Sequence, residues 1–321
     1  MGELGFGCAN LASMAAGAGG RTSVHLVQHA FDRGITFFDT ADAYGDGMSE
    51  RVLGRAFRRR PHEVRIGTKA GYRFRERPLY ERAIRLALRP VMRHRATPSM
   101  SRIAESARGP AYVEQDFSID HLTTALENSL RRLGRERIDL YQLHEPTDID
   151  ADAVLAWAAG AIDAGKIDKF GVSVGEVEAA DKWFRHSVVT SVQLPFGLLE
   201  QRAGERLIAD IHSSGSTVIA RGVLGSGLLD DRLSIDDLKA RTDRWQSIEA
   251  LRTFAASRGV GTVQLAFWYV RARSDVSTFL VGMSSTGHVD SATDASRTPL
   301  PSADVLDAIE SIVGADSSND P

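Results

Sequence analysis

The chain of 321 residues contains a single cysteine, Cys8. One thiol excludes an internal disulfide framework and is typical of proteins that fold in a reducing compartment. The first twenty residues carry no Lys or Arg ahead of their apolar positions, so they do not match a secretory signal. No run of about 18 apolar residues occurs elsewhere in the chain. We therefore expect a cytoplasmic protein without a membrane partner.

The sequence also lacks a strong excess of charge of either sign, because 39 basic residues stand against 42 acidic ones. A domain that binds a polyanion usually shows a clear basic excess. We therefore expect no nucleic-acid partner. The oligomeric state has no signature in the sequence.

Several common catalytic motifs are absent. The glycines at 17–20 are followed by Thr22 where a dinucleotide-binding G-x-G-x-x-G fingerprint needs a third glycine, and no strand pattern precedes them. Leu224 and Leu228 flank Ser226 where a hydrolase G-x-S-x-G elbow needs glycines. No H-E-x-x-H motif or paired cysteines occur, so we expect no metal site.

Short apolar runs alternate with amphipathic helical patterns along the whole chain. The runs predict eight buried strands at 4–10, 35–39, 64–68, 138–144, 169–174, 189–194, 216–222 and 276–282. This alternation fits an open doubly wound sheet or a closed barrel. Because no linker rich in Pro, Gly or Ser divides the chain, we predict one α/β domain over 1–321, a (β/α)8 TIM barrel.

Residues 72–117 interrupt this alternation with a segment rich in arginine. The segment follows the third strand, so it is an insertion in a βα loop, and such loops lie over the C-terminal mouth of a barrel. Two interpretations stay open, a solvated basic flap and a lid over the substrate. The arginines suggest an anionic or polar substrate as a hypothesis.

Polar residues stand at the predicted C-terminal ends of three successive strands. Asp39 ends the second strand with Tyr44 in the loop after it, Lys69 ends the third and His144 ends the fourth. Strand ends converge at one mouth in a barrel, where catalytic residues are found. We predict these four residues as catalytic, and Asp42 as an ordinary loop or cap residue.

The chemistry of these four side chains is complementary. A free phenol has a pKa of about 10, and a nearby ammonium lowers it while a carboxylate keeps that ammonium charged. Asp39, Lys69 and Tyr44 would thus tune a general acid, and His144 would orient a substrate oxygen. This set suits protonation of an alkoxide as hydride reaches a carbonyl, or the reverse.

The blocks "FFDTADAYGDGMSERVLGRAF", "IGTKAG", "SLRRLGRERIDLYQLHEP", "GKIDKFGVSV", "SVQLPFGLLEQ" and "VIARGVLGSGLL" resemble, in order, the signature blocks of the aldo-keto reductase superfamily. The resemblance implies a (β/α)8 barrel that uses a nicotinamide dinucleotide to interconvert carbonyls and alcohols, and it places the family's catalytic tetrad at the same four residues. A weaker likeness points to the family's branch of aldose and sugar dehydrogenases.

The resemblance also implies a cofactor site. Ser173 and Gln193 would hold the nicotinamide carboxamide, Phe196 would stack on its ring, and the main chain of 221–227 would receive the pyrophosphate. The stretch after the eighth strand would cover the adenosine phosphate. The full predicted set is Gly7, Cys8, Ser173, Gln193, Phe196, Arg221, Gly222, Val223, Leu224, Gly227, Gly282, Ser284, Ser285 and His288.

The preferred cofactor is less clearly indicated than the site. Relatives usually place an arginine or lysine for the 2′-phosphate in the last stretch, where this chain has Ser284, Ser285 and His288. We expect NADP because most of the family uses it, with NAD as the alternative.

Three functions follow from these residues. The first is NAD(P)H-dependent reduction of an aldehyde or ketone with Tyr44 as general acid, for which the partner is a small carbonyl or alcohol substrate. The second is a redox-sensing regulatory subunit on the same barrel, since some family members act in that way. The third is a sugar or aldose dehydrogenase that works in the oxidative direction.

Overall fold

The computed structural model describes residues 2–11, 21–73, 114–147, 149–201 and 204–317. Most of the predicted insertion, residues 74–113, lies outside the described residues, as do the glycines at 17–20. Whether the insertion acts as a lid therefore stays a prediction. The predicted bounds, 1–321 for the domain and 72–117 for the insertion, also stay predictions.

Ten strands are formed by the described residues: β1 (Glu3–Gly7), β2 (Phe37–Asp39), β3 (Arg65–Ala70), β4 (Tyr72–Arg73), β5 (Glu114–Gln115), β6 (Ile138–His144), β7 (Ile167–Ser173), β8 (Val189–Pro195), β9 (Thr217–Arg221) and β10 (Val276–Gly282). Their helices are α1 (Arg21–Asp32), α2 (Met48–Ala56), α3 (Ile119–Leu133), α4 (Ala151–Asp163), α5 (Gly204–Ser213), α6 (Ile235–Lys239), α7 (Trp245–Ser257), α8 (Thr262–Ala272), α9 (Thr286–Arg297) and α10 (Ala303–Ser317). Short 3-10 helices occupy Val177–Lys182 and Gly225–Gly227.

Eight of the strands form a closed barrel in the order β1-β10-β9-β8-β7-β6-β3-β2. The pairings of β2 with β3 and of β3 with β6 are parallel, and each strand is followed by helical segments. The predicted (β/α)8 fold is thereby confirmed. The eight predicted strands all occur, with ends that move by one to three residues except at β6 and β10, whose predicted bounds match.

By their internal contacts, the residues group into two compact units. The first comprises Met1–Gly5, Val174–Val281 and Gly287–Pro321, and the second comprises Phe6–Ser173 and Gly282–Thr286. The second unit contains all four predicted catalytic residues. Its apolar interior includes Phe6 and Phe38, whose rings stack at 5.8 Å, and Phe57 against Phe38 at 4.9 Å.

Helix α3 shows how local signals set an element of the second unit. Ser118 caps its N-terminus by accepting a hydrogen bond from the main-chain N–H of His121. Gly134 ends it in a left-handed conformation with φ of 67°, which glycine adopts without steric cost. Leucines at spacings of three and four form an apolar stripe along the helix, and Leu122, Leu126, Leu130 and Leu133 are buried, whereas Ile119 at its start is exposed.

The first unit contains the glycine-rich loop after β9 and the helices α5–α10. The loop carries positive φ angles at Gly222, Gly225 and Gly227. Within the described residues, no helix has the length and apolar character needed to span a membrane.

Candidate active site

A buried ion pair joins the ends of β2 and β3. The Lys69 ammonium donates to Asp39 Oδ2 at 2.6 Å and to the main-chain oxygen of Thr40 at 3.0 Å. Lys69 is 1% exposed and Asp39 is 4% exposed. A charge removed this far from water is tolerated only when it is paired and hydrogen-bonded. The two acceptors therefore hold the ammonium in one place at the strand ends.

Tyr44 lies above this pair in the loop that leads to α2. The Lys69 Nζ lies 5.4 Å from the centroid of the Tyr44 ring. The ring of His144, from the end of β6, meets the Tyr44 ring edge-on at 5.7 Å. The structure thus brings together the four residues that the sequence places at separate strand ends.

Gln142 belongs to this cluster and was not predicted from the sequence. Its Nε2 donates to Asp39 Oδ1 at 3.4 Å, and the side chain is fully buried. Gln142 and His144 are two residues apart on β6, so they lie on the same face of the strand. That period of two, counted back from His144, is the signal that would have found it.

Two further polar residues missed by the sequence analysis lie beside His144. The Tyr72 ring meets the His144 ring edge-on at 5.0 Å, and the Tyr72 hydroxyl donates to Glu145 Oε2 at 2.8 Å. Tyr72 belongs to the short strand β4, which the sequence does not distinguish from the insertion that follows it. Both side chains are partly exposed.

The expectation that Asp42 is an ordinary loop or cap residue is wrong, because its side chain is buried and caps none of the described helices. It lies in the turn between β2 and α2, but Gly47 is the N-cap of α2, and Asp42 is only 1% exposed. Its Oδ1 is buried without a hydrogen-bond partner among the described residues. Burial and the neighbouring Glu50 raise the pKa of its carboxyl well above the ordinary value, against the opposing effect of Arg132.

Thr68 and Lys69 point to opposite faces of β3. Lys69 contacts Asp39, whereas Thr68 Oγ1 donates to Glu50 Oε1 at 2.6 Å. Glu50 Oε2 in turn accepts a hydrogen bond from Arg132 Nε at 2.5 Å, in an ion pair that is almost fully buried. One strand therefore connects the candidate catalytic pair to a second buried polar cluster formed with α2 and α3.

Of the predicted cofactor residues in the second unit, Gly7, Cys8 and Ser173 adjoin the catalytic candidates, and Gly7 is the register partner of Asp39. Cys8 is fully buried, its main-chain N–H donates to the Asp39 carbonyl at 2.8 Å, and burial raises the pKa of its thiol. Ser173 is the register partner of His144 on β7. A Cβ atom added to Gly282 would lie 3.9 Å from the Gly7 carbonyl oxygen. Ser284 and Ser285 are exposed.

The predicted cofactor residues of the first unit lie around β8 and the loop after β9. Gln193 and Phe196 are each 1% exposed, and the Phe196 ring packs on Tyr269 at 5.6 Å. The Arg221 guanidinium donates to the carbonyls of Val174 and Gly175. The remaining loop positions are Gly222, Val223, Leu224 and Gly227, of which Val223 is buried.

Two arginines of the first unit contact positions that are predicted to meet phosphates, Arg241 at Ser226 and Arg232 at His288. Arg241 donates to the Ser226 carbonyl at 3.2 Å. Arg232 lies 3.4 Å from His288 Nε2 and forms a bidentate contact with Asp230, whose pKa it lowers to about 2. The sequence of 284–288 has no arginine, and Arg232 supplies one from 56 residues away. Such a contact has no sequence pattern.

Among the described residues, no group of three or more His, Cys, Asp or Glu side chains is arranged as a metal site. A cavity of about 540 Å³ lies beside α3 in the second unit. Asp42 and Arg132 line it, but the four catalytic candidates do not. The cluster of Asp39, Lys69, Tyr44 and His144 is therefore our candidate active site.

The structure is a (β/α)8 barrel with this polar cluster at its strand ends, as the sequence motifs predict. The sequence model of the aldo/keto reductase family matches residues 3–313. The chain belongs to this family, and the resemblance found in its motifs is confirmed. The family consists of oxidoreductases that use nicotinamide cofactors.

Individual relatives agree with this assignment. The chain is 26% identical over 314 residues to the aldo-keto reductase YhdN of Bacillus subtilis, which covers 92% of this chain and 85% of the relative. It is 29% identical over 233 residues to a D-threo-aldose 1-dehydrogenase of a Pseudomonas species, covering 70% of this chain and 67% of the relative. The solved structure of a glycerol dehydrogenase from Gluconobacter oxydans superposes with a TM-score of 0.78 at 23% identity, covering 99% of this chain and 93% of that chain. At that identity the superposition shows the fold.

Proposed function

We propose that this protein transfers hydride between a nicotinamide dinucleotide and a small aldehyde or ketone, with Tyr44 as the general acid in the direction of reduction. The observation that carries the proposal is the Lys69 ammonium, which is buried against Asp39 and lies 5.4 Å from the Tyr44 ring. A buried ion pair is costly to form, and this one is placed where it acts on a phenol.

The proton transfer follows from these positions. A phenol that protonates an alkoxide becomes a phenolate, and a neighbouring ammonium stabilises that charge. Asp39 binds the ammonium through one carboxylate oxygen, and Gln142 donates to the other. We propose that His144, beside Tyr44, holds the substrate oxygen by a hydrogen bond. A positioned acid of this kind contributes a factor of about 10² to 10⁴ to the rate.

The residues present are compatible with a nicotinamide dinucleotide, which supplies or accepts the hydride when it is bound. Gly222 has φ of 74°, and a Cβ added to it would meet no atom of the described residues within 4 Å. The main chain of this loop is thus open to close approach by a phosphate. In the second unit, we propose that Ser173 binds the carboxamide next to His144.

We propose NADP ahead of NAD as the cofactor. Arg232 and His288 lie 3.4 Å apart, and Arg241 is bound to the loop at Ser226. Arg232 and Arg241 offer the positive charge that a 2′-phosphate needs and that Ser284 and Ser285 lack. Asp230 offsets part of the charge of Arg232.

A dehydrogenase acting on a sugar in the oxidative direction is the second candidate function. The likeness to a D-threo-aldose 1-dehydrogenase supports it, because the same residues would then remove a proton from an alcohol. A redox-sensing subunit that binds the cofactor without useful turnover is the third, and it makes a different prediction for Tyr44.

The test is turnover of aldehydes, ketones and sugars with NADPH or NADP, comparing wild type with Tyr44→Phe. We expect the variant to lose a factor of about 10² to 10⁴ in kcat while it still binds cofactor. Tyr141→Phe is the matched control, since this fully buried tyrosine lies on the opposite face of β6 from Gln142 and His144. Equal and negligible turnover of wild type and Tyr44→Phe, with cofactor bound to both, would favour the regulatory subunit.

A further inference from the structure

The short strands β4 and β5 bring two distant segments together beside His144. Tyr72 pairs with Gln115 and Arg73 with Glu114 in an antiparallel register. Gly71, directly before β4, has φ of 136°, and a Cβ added there would lie 2.2 Å from the Phe117 ring. This close approach fixes the β4 and β5 pair at the end of β3, next to Lys69.

Three polar side chains form one hydrogen-bonded set at this position. The Tyr72 hydroxyl donates to Glu145 Oε2 at 2.8 Å and accepts from Gln115 Nε2 at 3.1 Å. Gln115 Nε2 also donates to the main-chain carbonyl of Glu145 at 2.8 Å. Thr147 Oγ1 donates to Gln115 Oε1 at 2.5 Å, which fixes the orientation of the amide. Each group therefore points in a defined direction.

The backbone of Glu145 is strained in a way that places its side chain. Its φ is 55°, in the left-handed region that a residue with a Cβ seldom occupies. Its N–H donates to the Ser173 carbonyl at 2.7 Å. Strain of this kind is found mostly at functional sites. A residue that only covered the surface here would not need it.

The set lies next to the proposed reaction centre and is open to solvent. The Tyr72 ring contacts the His144 ring on one side, and Tyr44 contacts it on another. Tyr72, Gln115 and Glu145 are each partly exposed. Burial and the bond to Glu145 raise the pKa of Tyr72 to about 12, so this phenol stays neutral and remains a hydrogen-bond donor at physiological pH.

These groups have the chemistry of hydroxyl recognition. A carboxylate has about four acceptor positions, and a phenol and an amide add donors and acceptors of fixed direction. A carboxylate repels an anionic substrate. Beside an apolar substrate the carboxylate would lose contact with water without gaining a hydrogen bond, which is unfavourable. This distinguishes the wall next to His144 from the arginines of the insertion, which suggest an anionic or polar substrate.

We propose that Tyr72, Gln115 and Glu145 form a hydroxyl-binding wall that selects carbonyl substrates with a hydroxyl group on the carbon next to the carbonyl. The proposal rests on the proposed function, because it takes His144 as the group that holds the carbonyl oxygen. Glu145 accepts a hydrogen bond from that hydroxyl, and Gln115 keeps Tyr72 in place beside it.

The experiment compares kcat/KM for 2-hydroxypropanal and for propanal, which differ by one hydroxyl group. We expect wild type to prefer the hydroxylated aldehyde, and Tyr72→Phe and Glu145→Gln each to reduce that preference by about tenfold. Glu145→Gln should also raise kcat/KM for the anion glyoxylate relative to propanal. Glu114→Gln is the matched control, because it makes the same change at an exposed position on β5.

Binding measured without turnover separates this proposal from the proposed function. Calorimetry or ligand-observed NMR compares propane-1,2-diol with propan-1-ol on wild type and on Tyr72→Phe. If carbonyls turn over and the preference for the hydroxylated aldehyde is the same in all variants, the hydroxyl-binding wall is contradicted and the reductase activity is supported. If no carbonyl turns over but wild type binds the diol more tightly than propan-1-ol and Tyr72→Phe abolishes that difference, hydroxyl binding at the wall is supported and the reductase activity is contradicted. Neither turnover nor preference would overturn both.

Discussion

Asp42 illustrates how a single carboxyl group can be buried for a reason that its sequence neighbours do not show. Its main-chain N–H donates to the Lys69 carbonyl at 3.0 Å, so the turn that carries it is fixed to β3. The side chain is then enclosed with Glu50 and Arg132. Because Arg132 already pairs with Glu50, Asp42 is the second acid beside one cation.

The raised pKa of Asp42 predicts a pH-dependent stability. The folded state holds this proton more tightly than the unfolded chain, so the wild type loses stability as pH rises from the ordinary aspartate pKa toward the folded one. Asp42→Asn removes the titration. We expect it to stabilise the protein at pH 8, where the wild-type carboxyl is most costly to bury, and to stabilise it less at pH 5.

Chemical denaturation at pH 5, 6.5 and 8 measures this difference. The exposed Asp243, in a turn before α7, provides the control as Asp243→Asn. A gain for Asp42→Asn that is the same at every pH, or that grows as pH falls, contradicts the assignment of a raised pKa.

Helices α2 and α3 approach each other closely at Gly54. A Cβ added there would lie 2.6 Å from the Arg132 carbonyl oxygen and 2.8 Å from that of Leu133. Both oxygens belong to the last turn of α3, so the contact is between main chains and cannot be relieved by a rotamer change. The buried pair of Glu50 and Arg132 joins the same two helices. The close approach thus fixes the helix that follows the Tyr44 loop.

Alanine substitution at two helical glycines tests this contact. Gly54→Ala should destabilise the protein by about 1–3 kcal/mol, as overpacking does. Gly160→Ala in α4, where no described atom lies within 4 Å of the added Cβ, should stabilise it by up to about 1 kcal/mol through helix propensity. Equilibrium unfolding in urea measures both. A stabilising Gly54→Ala would show that α2 and α3 do not meet in this way.

The sequence predicts the barrel well because its strands are short apolar runs bounded by turn residues, and that pattern is local. It also predicts Asp39, Lys69 and His144 as a group, because parallel strand ends meet in a barrel. It does not find Gln142 or Tyr72, whose partners Asp39 and Glu145 are 103 and 73 residues away. Nor does it distinguish Asp42 from a solvated loop acid. The period of two along β6 places Gln142 on the same face as His144, but its bond to Asp39, like that of Tyr72 to Glu145, depends on packing between distant segments.

Cofactor binding should stabilise the folded chain as a whole, because a ligand that binds only the native state shifts the unfolding equilibrium. At a concentration 100 times its Kd, the gain is about 2.7 kcal/mol, and each kcal/mol raises Tm by roughly 2–4 °C in larger domains. We expect NADPH to raise Tm by about 5–10 °C on this basis, and NADH to raise it less at equal concentration, because we propose that Arg232, beside His288, binds the 2′-phosphate. Thermal unfolding in a cofactor titration measures both shifts.

Tyr44→Phe should show the same NADPH shift, since this substitution removes the acid and leaves the cofactor contacts in place. Arg232→Gln should narrow the gap between the two cofactors, and an unchanged gap would mean that the charge beside His288 does not select between them.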